Sequence, residues 1–311
     1  MGAQVVPALT VVVMGYLNGD TILAAVDSVL TQEASEPFEV VVVTSGDDGS
    51  AELVRSRHLG VQVVASPERL LPGGARNAGL AASAGEFIAF LAADCVAMPG
   101  WVEGRLRRHR AGAGVVAAAM TNAGPPGRAA WAHMYLLFSG RLPGRPGGPV
   151  TYPDSAAHGL SYSRSVLNQL GAFEDRVLIG EDTQAARRLA ELGVVPWFEP
   201  AVVIGHTGPA GLAELFVDMR RRGAAAAGAR GESLSPIDGG IPTTRTRARL
   251  VRTGIYGLGW HLRWTIGKVR SSAAPDQPGP WSLAPWLLAG AAGRQIGRIG
   301  AQLRRRRHTP T

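Results

Sequence analysis

A chain of 311 residues with 46% hydrophobic content can bury a full core, which excludes an intrinsically disordered protein. The lone cysteine, Cys95, excludes an intrachain disulfide, and Cys and His spacing carries no zinc-site signature. The net charge of +8 sits at one end: residues 245–311 hold 13 Lys and Arg against one acid, Asp276, while residues 1–244 hold 19 basic and 23 acidic residues. That excludes general polyanion binding by the first 244 residues.

The apolar start, Val5 to Leu17, has no positive residue before it and no small-residue cleavage pattern after it, so it is read as a strand, Thr10 to Met14, and not as a leader. The turn Gly15 to Asp20 follows, then a helix over Thr21 to Thr31 with its apolar face at Ile22, Val26, Val29 and Leu30. Glu39 to Val43 is a β-branched run of the kind buried on both faces of a parallel sheet. It opens into the polar turn Thr44-Ser45-Gly46-Asp47-Asp48-Gly49-Ser50, which leads to a helix from Ala51 to about His58 and a strand from Val61 to Ala65.

The loop Leu71 to Gly79 carries Arg76 and Asn77 at a helix start, where an Arg can meet an anion beside unpaired backbone N–H groups. A Gly-rich turn with a surface Arg has the same composition. Neither a phosphate-loop pattern nor Gly-x-Gly-x-x-Gly is present, which argues against ATP and dinucleotide cofactors. Phe87 to Leu91 has strand character and is followed by Asp94, with Pro99 stopping the strand. A carboxylate at such a strand end can hold a cation or a ligand hydroxyl, or cap the helix that begins near Pro99.

Gly and Pro crowd the stretch from Ala123 to Pro153, which predicts a loop or lid around a short aromatic helix, Trp131 to Phe138. A second block runs from His158 to Glu174. Gly180-Glu181-Asp182-Thr183 then heads a helix that ends at Gly193, and acids in a first turn are favoured by the helix dipole whatever else they do. Val194 to Ile204 predicts one or two strands, closed by Gly205-His206-Thr207-Gly208-Pro209. The alternation of strand and helix predicts an α/β fold with a mainly parallel central sheet flanked by helices.

Beyond residue 244 the pattern changes. Ile255 to Trp264 is apolar and aromatic with basic flanks, and Trp281 to Gly293 is an apolar stretch of 13 residues followed by Arg294, Arg298 and Arg304 to Arg307. Such a stretch is too short to cross a bilayer, but Trp and Leu beside Arg suit a helix lying on an anionic membrane or one packed on the preceding domain. The expected division is a catalytic domain, 1–244, and a basic helical tail, 245–311. No nucleic-acid-binding motif accompanies the tail, so no nucleic acid partner is expected.

Four acidic or basic loops thus stand in order at predicted strand ends, with His206 after the last strand. That order, with Asp27-Ser28-Val29-Leu30-Thr31-Gln32, Asp48-Gly49-Ser50, Ala75-Arg76-Asn77-Ala78-Gly79, Gly85-Glu86-Phe87-Ile88-Ala89-Phe90-Leu91 and Gly180-Glu181-Asp182, resembles family 2 glycosyltransferases of the GT-A fold. The likeness covers roughly the first 230 residues.

The resemblance implies a nucleotide-diphosphate sugar donor, an acceptor hydroxyl on a lipid-linked, saccharide or small molecule, and Mg2+ or Mn2+ as cofactor. It implies that Tyr16 and Asn18 lie beside the base or ribose, that Arg76 and Asn77 serve the donor, and that Asp94 holds the metal with His206 as a further ligand. It implies Asp182 as general base in an inverting direct displacement, with Glu181 adding like-charge repulsion beside it. Among Arg220, Arg221 and Arg222, it implies an Arg near the pyrophosphate, such as Arg222. An enzyme on the cytoplasmic face of a membrane fits this picture.

Two departures stand out. Ala92 occupies a position where the family usually has an Asp, and Thr44-Ser45-Gly46 separates the second strand from its acidic turn, which leaves Thr44, Asp47 and Asp48 as alternatives for the base contact. Ala92 also admits a degenerate, non-catalytic scaffold. A metal-dependent nucleotidyltransferase is a further alternative, although the Gly15 to Asp20 turn lacks the Arg and Lys of an activating loop.

Overall fold

The computed structural model describes residues 6–124, 126–152, 154–155, 158–228 and 247–308. The chain divides into two compact units, one of residues 1–123 and 146–206 and one of residues 124–145 and 207–311. The boundary expected at 244/245 lies outside the described residues.

The first unit is built on a sheet. Strands β1 (Leu9–Tyr16), β2 (Phe38–Ser45), β3 (Gln62–Ser66) and β4 (Phe87–Ala92) pair in parallel in the order β3-β2-β1-β4. Val11 to Val13 and Val41 to Val43 are fully buried, as central parallel strands covered on both faces require. Helix α1 (Ile22–Leu30) lays Ile22, Ala25, Val26 and Val29 inward, an i, i+3, i+4, i+7 stripe. Helices α2 (Ser50–Arg57) and α3 (Pro72–Ala82) make the next crossovers.

Beyond β4 the sheet continues through β5 (Cys95–Ala97), β6 (Val115–Asn122), β7 (Gly148–Pro149), β8 (Leu160–Ser163) and β9 (Trp197–His206), in the order β4-β8-β6-β9-β5, with β7 on β9. Helix α4 (Trp101–Arg110) links β5 to β6. Strand β8 runs antiparallel to both β4 and β6, and β6 runs parallel to β9. Two reversals therefore restore the direction, so β1, β2, β3, β4, β6 and β9 all point one way and end at one edge. The sheet is mainly parallel, as its residue pattern predicts.

The stretch predicted as one or two strands is one strand, and it continues to His206 instead of stopping before it. Its register slips between Ala118 and Ala119, opposite the segment holding Pro200, which has no N–H for the ladder. Helices α6 (Arg164–Leu170) and α7 (Glu181–Glu191) complete the unit.

The second unit is helical: α5 (Arg128–Phe138), α8 (Leu212–Gly228), α9 (Arg247–Ser272) and α10 (Ala284–His308). Helix α5 begins earlier than the aromatic run alone predicts. Helices α8 and α10 meet backbone to backbone, since a Cβ on Gly297 would lie 1.9 Å from the Arg220 carbonyl oxygen and one on Gly223 1.9 Å from that of Arg294. Only glycine permits so close an approach. Among the described residues, no helix is long and apolar enough to cross a membrane.

Candidate functional site

Because six strands end at one edge of the sheet, the loops after β1, β2 and β4 and the last residue of β9 share that edge, as ligand loops do in open α/β sheets. The register Met14↔Ala92 and Tyr16↔Ser45 aligns these ends, and the Ala93 N–H donates to the Met14 carbonyl at 2.9 Å.

The first loop is folded on itself. The Tyr16 N–H donates to Asn18 Oδ1 at 2.7 Å, and Asn18 Nδ2 donates to Thr21 Oγ1 at 3.3 Å. Between them Leu17 sits at φ +52°, the one non-glycine residue with positive φ among those described. Strain of this kind concentrates at ligand loops. The exposed Tyr16 ring carries the Arg69 guanidinium 4.2 Å above it.

The second loop is tied to the first through Asp48. Its Oδ2 accepts from the Gly19 N–H at 3.0 Å and its Oδ1 from the Ser50 N–H at 3.1 Å and from the Ser50 hydroxyl. The Ser50 hydroxyl, with the two amides, holds the Asp48 carboxyl below its ordinary value against the opposing effect of burial. Asp47 beside it is exposed, while Thr44 is buried within the end of β2.

Arg76 and Asn77 both reach across the sequence to later loops. Arg76 Nη1 meets Glu181 Oε1 at 2.5 Å, and both side chains are buried. The anion that Arg76 meets is thus the Glu181 carboxylate. Its guanidinium also lies 5.8 Å from the Phe90 ring and 5.6 Å from that of Phe173. Burial draws the Arg76 pKa down, but the charges of Glu181 and Asp182 outweigh it and leave the group above its ordinary value. The repulsion expected between Glu181 and Asp182 is therefore opposed by a cation within reach of both. Asn77 clamps the backbone of Phe173: Nδ2 donates to its carbonyl at 2.9 Å, and Oδ1 accepts from its N–H at 2.9 Å.

Glu181 and Asp182 open α7, whose N-cap Gly180 has φ +110°. Asp182 Oδ1 accepts from the Thr183 N–H at 2.7 Å. At the end of β4, Asp94 is half-exposed, and its Oδ2 lies 3.8 Å from Nε2 of the buried His206. Asp94 therefore faces a histidine at the sheet edge. Two residues that the sequence did not single out join them: Cys95, whose Sγ lies 3.4 Å from Asp94 Oδ1, and His158, whose ring stands 5.6 Å from that of His206. Burial, reinforced by the Asp94 carboxylate, pushes the Cys95 thiol well above its ordinary value. Arg222 lies in the second unit, where its Nε donates to Asp218 Oδ2 at 2.6 Å.

The model for glycosyl transferase family 2 matches residues 10–171, more than half of the chain. The chain belongs to that family. Among its curated relatives, a pre-mycofactocin glycosyltransferase of Mycobacterium tuberculosis is 31% identical over 180 residues, covering 54% of this chain and 37% of the relative. The succinoglycan biosynthesis protein ExoO of Rhizobium meliloti is 39% identical over 104 residues, covering 33% of this chain and 29% of the relative. This family 2 chain thus spans well under half the length of those relatives. Its fold is also that of a mannosyltransferase from Pyrobaculum calidifontis, solved with GDP-Man and Mn2+, at a TM-score of 0.58 and 16% identity over 96% of this chain and 87% of that one. The architecture is of the GT-A glycosyltransferase type.

Proposed function

We propose that this family 2 chain moves a sugar from a nucleotide-diphosphate donor to an acceptor hydroxyl, inverting the anomeric centre. The observation that carries the proposal is that one sheet edge gathers Asp94 with His206 and also the β1, β2 and β3 loops, the last opening the helix whose Arg76 fixes Glu181 beside Asp182. The Pyrobaculum calidifontis mannosyltransferase of the same fold holds GDP-Man and Mn2+, which supports a nucleotide sugar as the ligand class.

Asp94 and His206 suit a divalent cation. Asp94 Oδ2 and His206 Nε2, 3.8 Å apart, offer an oxygen and a nitrogen donor that would hold such an ion together. A bound Mg2+ or Mn2+ supplies charge stabilisation for the departing diphosphate. Asp47 is assigned to the base or ribose, since Asp48 is engaged in joining the loops, and Tyr16 and Asn18 of the first loop are assigned to the same moiety. Asp182 takes the proton of the attacking hydroxyl. Glu181 and Arg76 are positioning residues that fix the first turn of α7.

A panel of nucleotide sugars in thermal-shift assays with Mn2+, followed by donor hydrolysis without acceptor, tests the reading. Stabilisation by one donor class with slow hydrolysis is expected. Stabilisation without any turnover would favour the scaffold reading that Ala92 raises, and no stabilisation by any donor would contradict the proposal.

Helices α9 and α10 are the proposed contact with an anionic membrane surface on its cytoplasmic face. Ile255 and Tyr256 on α9 and Leu288 and Ile296 on α10 are exposed, as is Trp281 in the turn before α10, and Lys268 stands 4.8 Å over Trp264. Flotation with anionic vesicles at low salt, lost with zwitterionic vesicles, is expected. A protein that never floats would remove this partner.

A further inference from the structure

Cys95, His158 and His206 bring one sulfur and two imidazole nitrogens to within 4.8 Å of one another, at buried or half-buried positions. No linear spacing announces this set, because its members come from three segments. The ladder places Cys95 on β5 directly opposite His206 on β9, and His158 precedes β8 by two residues. Asp94 borders the same cluster, with Oδ1 at 3.4 Å from Cys95 Sγ and Oδ2 at 3.8 Å from His206 Nε2.

The chemistry of these donors differs from that of a nucleotide-sugar cation. Mg2+ and Mn2+ prefer oxygen ligands, whereas thiolate with imidazole selects zinc-class ions. With Zn–S near 2.3 Å and Zn–N near 2.0 Å, the donors of a tetrahedral site stand about 3.3 to 3.6 Å apart. Asp94 Oδ1 is already at that spacing from Cys95 Sγ and its other oxygen is near it from His206 Nε2, and the cluster needs a contraction of at most about 1.5 Å, within the reach of side-chain torsions.

We propose that Cys95, His158 and His206, with Asp94 as fourth donor, form a zinc-class site that shares Asp94 and His206 with the donor-holding cation, so that zinc and the nucleotide-diphosphate complex exclude each other. The exclusion rests on the function proposed above. The zinc site itself does not.

Metal-stripped full-length chain is titrated with Zn2+ against a chromogenic chelator and, separately, with Co2+ followed by absorption. One Zn2+ per chain is expected, with thiolate-to-metal charge transfer in the Co2+ form. Cys95→Ser should remove that absorption and weaken Zn2+ at least about 100-fold, and His158→Gln should weaken Zn2+ about 10- to 100-fold while keeping the absorption. Melting curves identify folded variants, and His158→Gln carries the test if Cys95→Ser does not fold. Equal Zn2+ affinity in wild type and folded variants, or a Co2+ spectrum without thiolate absorption, overturns the site.

In the second arm, binding of uridine and guanosine diphosphates to wild type with Mn2+ is measured with and without one equivalent of Zn2+. Loss of binding is expected, and undiminished binding to the zinc-loaded chain overturns the exclusion. Zinc binding through Cys95 in a chain with no Mn2+-dependent nucleotide binding would contradict the function proposed above and the exclusion while leaving the zinc site standing.

Discussion

Arg76 and Glu181 are 105 residues apart in sequence and meet at 2.5 Å in a buried ion pair. The pair fastens the middle of α3 to the start of α7, the turn that carries Asp182. Removing one partner leaves a buried charge uncompensated, so Arg76→Ala should cost about 3 to 5 kcal/mol in denaturant unfolding. Replacing both by apolar residues of similar volume, as in Arg76→Met with Glu181→Leu, should recover most of that stability but not activity.

Asn77 meets the Phe173 backbone through both ends of its amide. Asn77→Ala leaves that N–H and C=O without these partners, and a loss of about 1 to 3 kcal/mol is expected by denaturant titration. Asn77→Asp keeps an acceptor and loses the donor, so it should fall between the two.

His109 is buried, with Nδ1 2.7 Å from the Ala113 carbonyl and Nε2 2.8 Å from Ser161 Oγ. The carbonyl requires the Nδ1 proton, so Nε2 accepts from the serine. Burial first, then the Arg105 and Arg110 charges, lower its pKa to about 4. The unfolded chain takes up this proton near pH 6.5 and the folded chain only near 4, so the folded state loses stability as pH falls between those values. Full stability from this group is present above that window, and the loss across it is on the order of 3 kcal/mol. Unfolding free energies measured from pH 7 to 4 should show the slope in wild type and a flatter profile in His109→Gln.

Asp182→Asn keeps the shape of the first turn of α7 but removes the proposed proton acceptor. Donor binding should stay within about twofold while transfer falls about 100- to 10,000-fold, measured by calorimetry and by product formation. Wild-type turnover in the folded variant would take Asp182 out of the chemistry.

The strands were legible where burial on both faces enforces continuous β-branched runs, as in Val40 to Val43 and Val11 to Val13. Strand β5, three residues long, has too short a pattern to show any period, and β9 runs on to His206 because Cys95 and Asn122 pair with that residue. Motif order picked out Arg76, Asn77, Asp94, Glu181 and Asp182, but Arg76 and Asn77, expected in a loop that leads into a helix, lie within α3, which already begins at Pro72, a residue whose fixed φ suits a first helical position. Motif order could not show that Arg76 is paired with Glu181, that Asn77 holds Phe173, or that His158 joins Cys95 and His206, since those contacts join distant segments. The tight α8–α10 crossing escaped for the same reason: glycines in a helix read as weak helix formers until the facing carbonyl is seen.

The central proposal is that Asp94, with His206, holds the diphosphate of a nucleotide donor through a divalent cation. Calorimetry of uridine and guanosine diphosphates, with and without Mn2+, on wild type and on Asp94→Ala tests it most directly. The expected result is binding to wild type of one nucleotide only with Mn2+, weakened at least about tenfold in Asp94→Ala. Equal affinity with and without the metal, or in the two proteins, would contradict it.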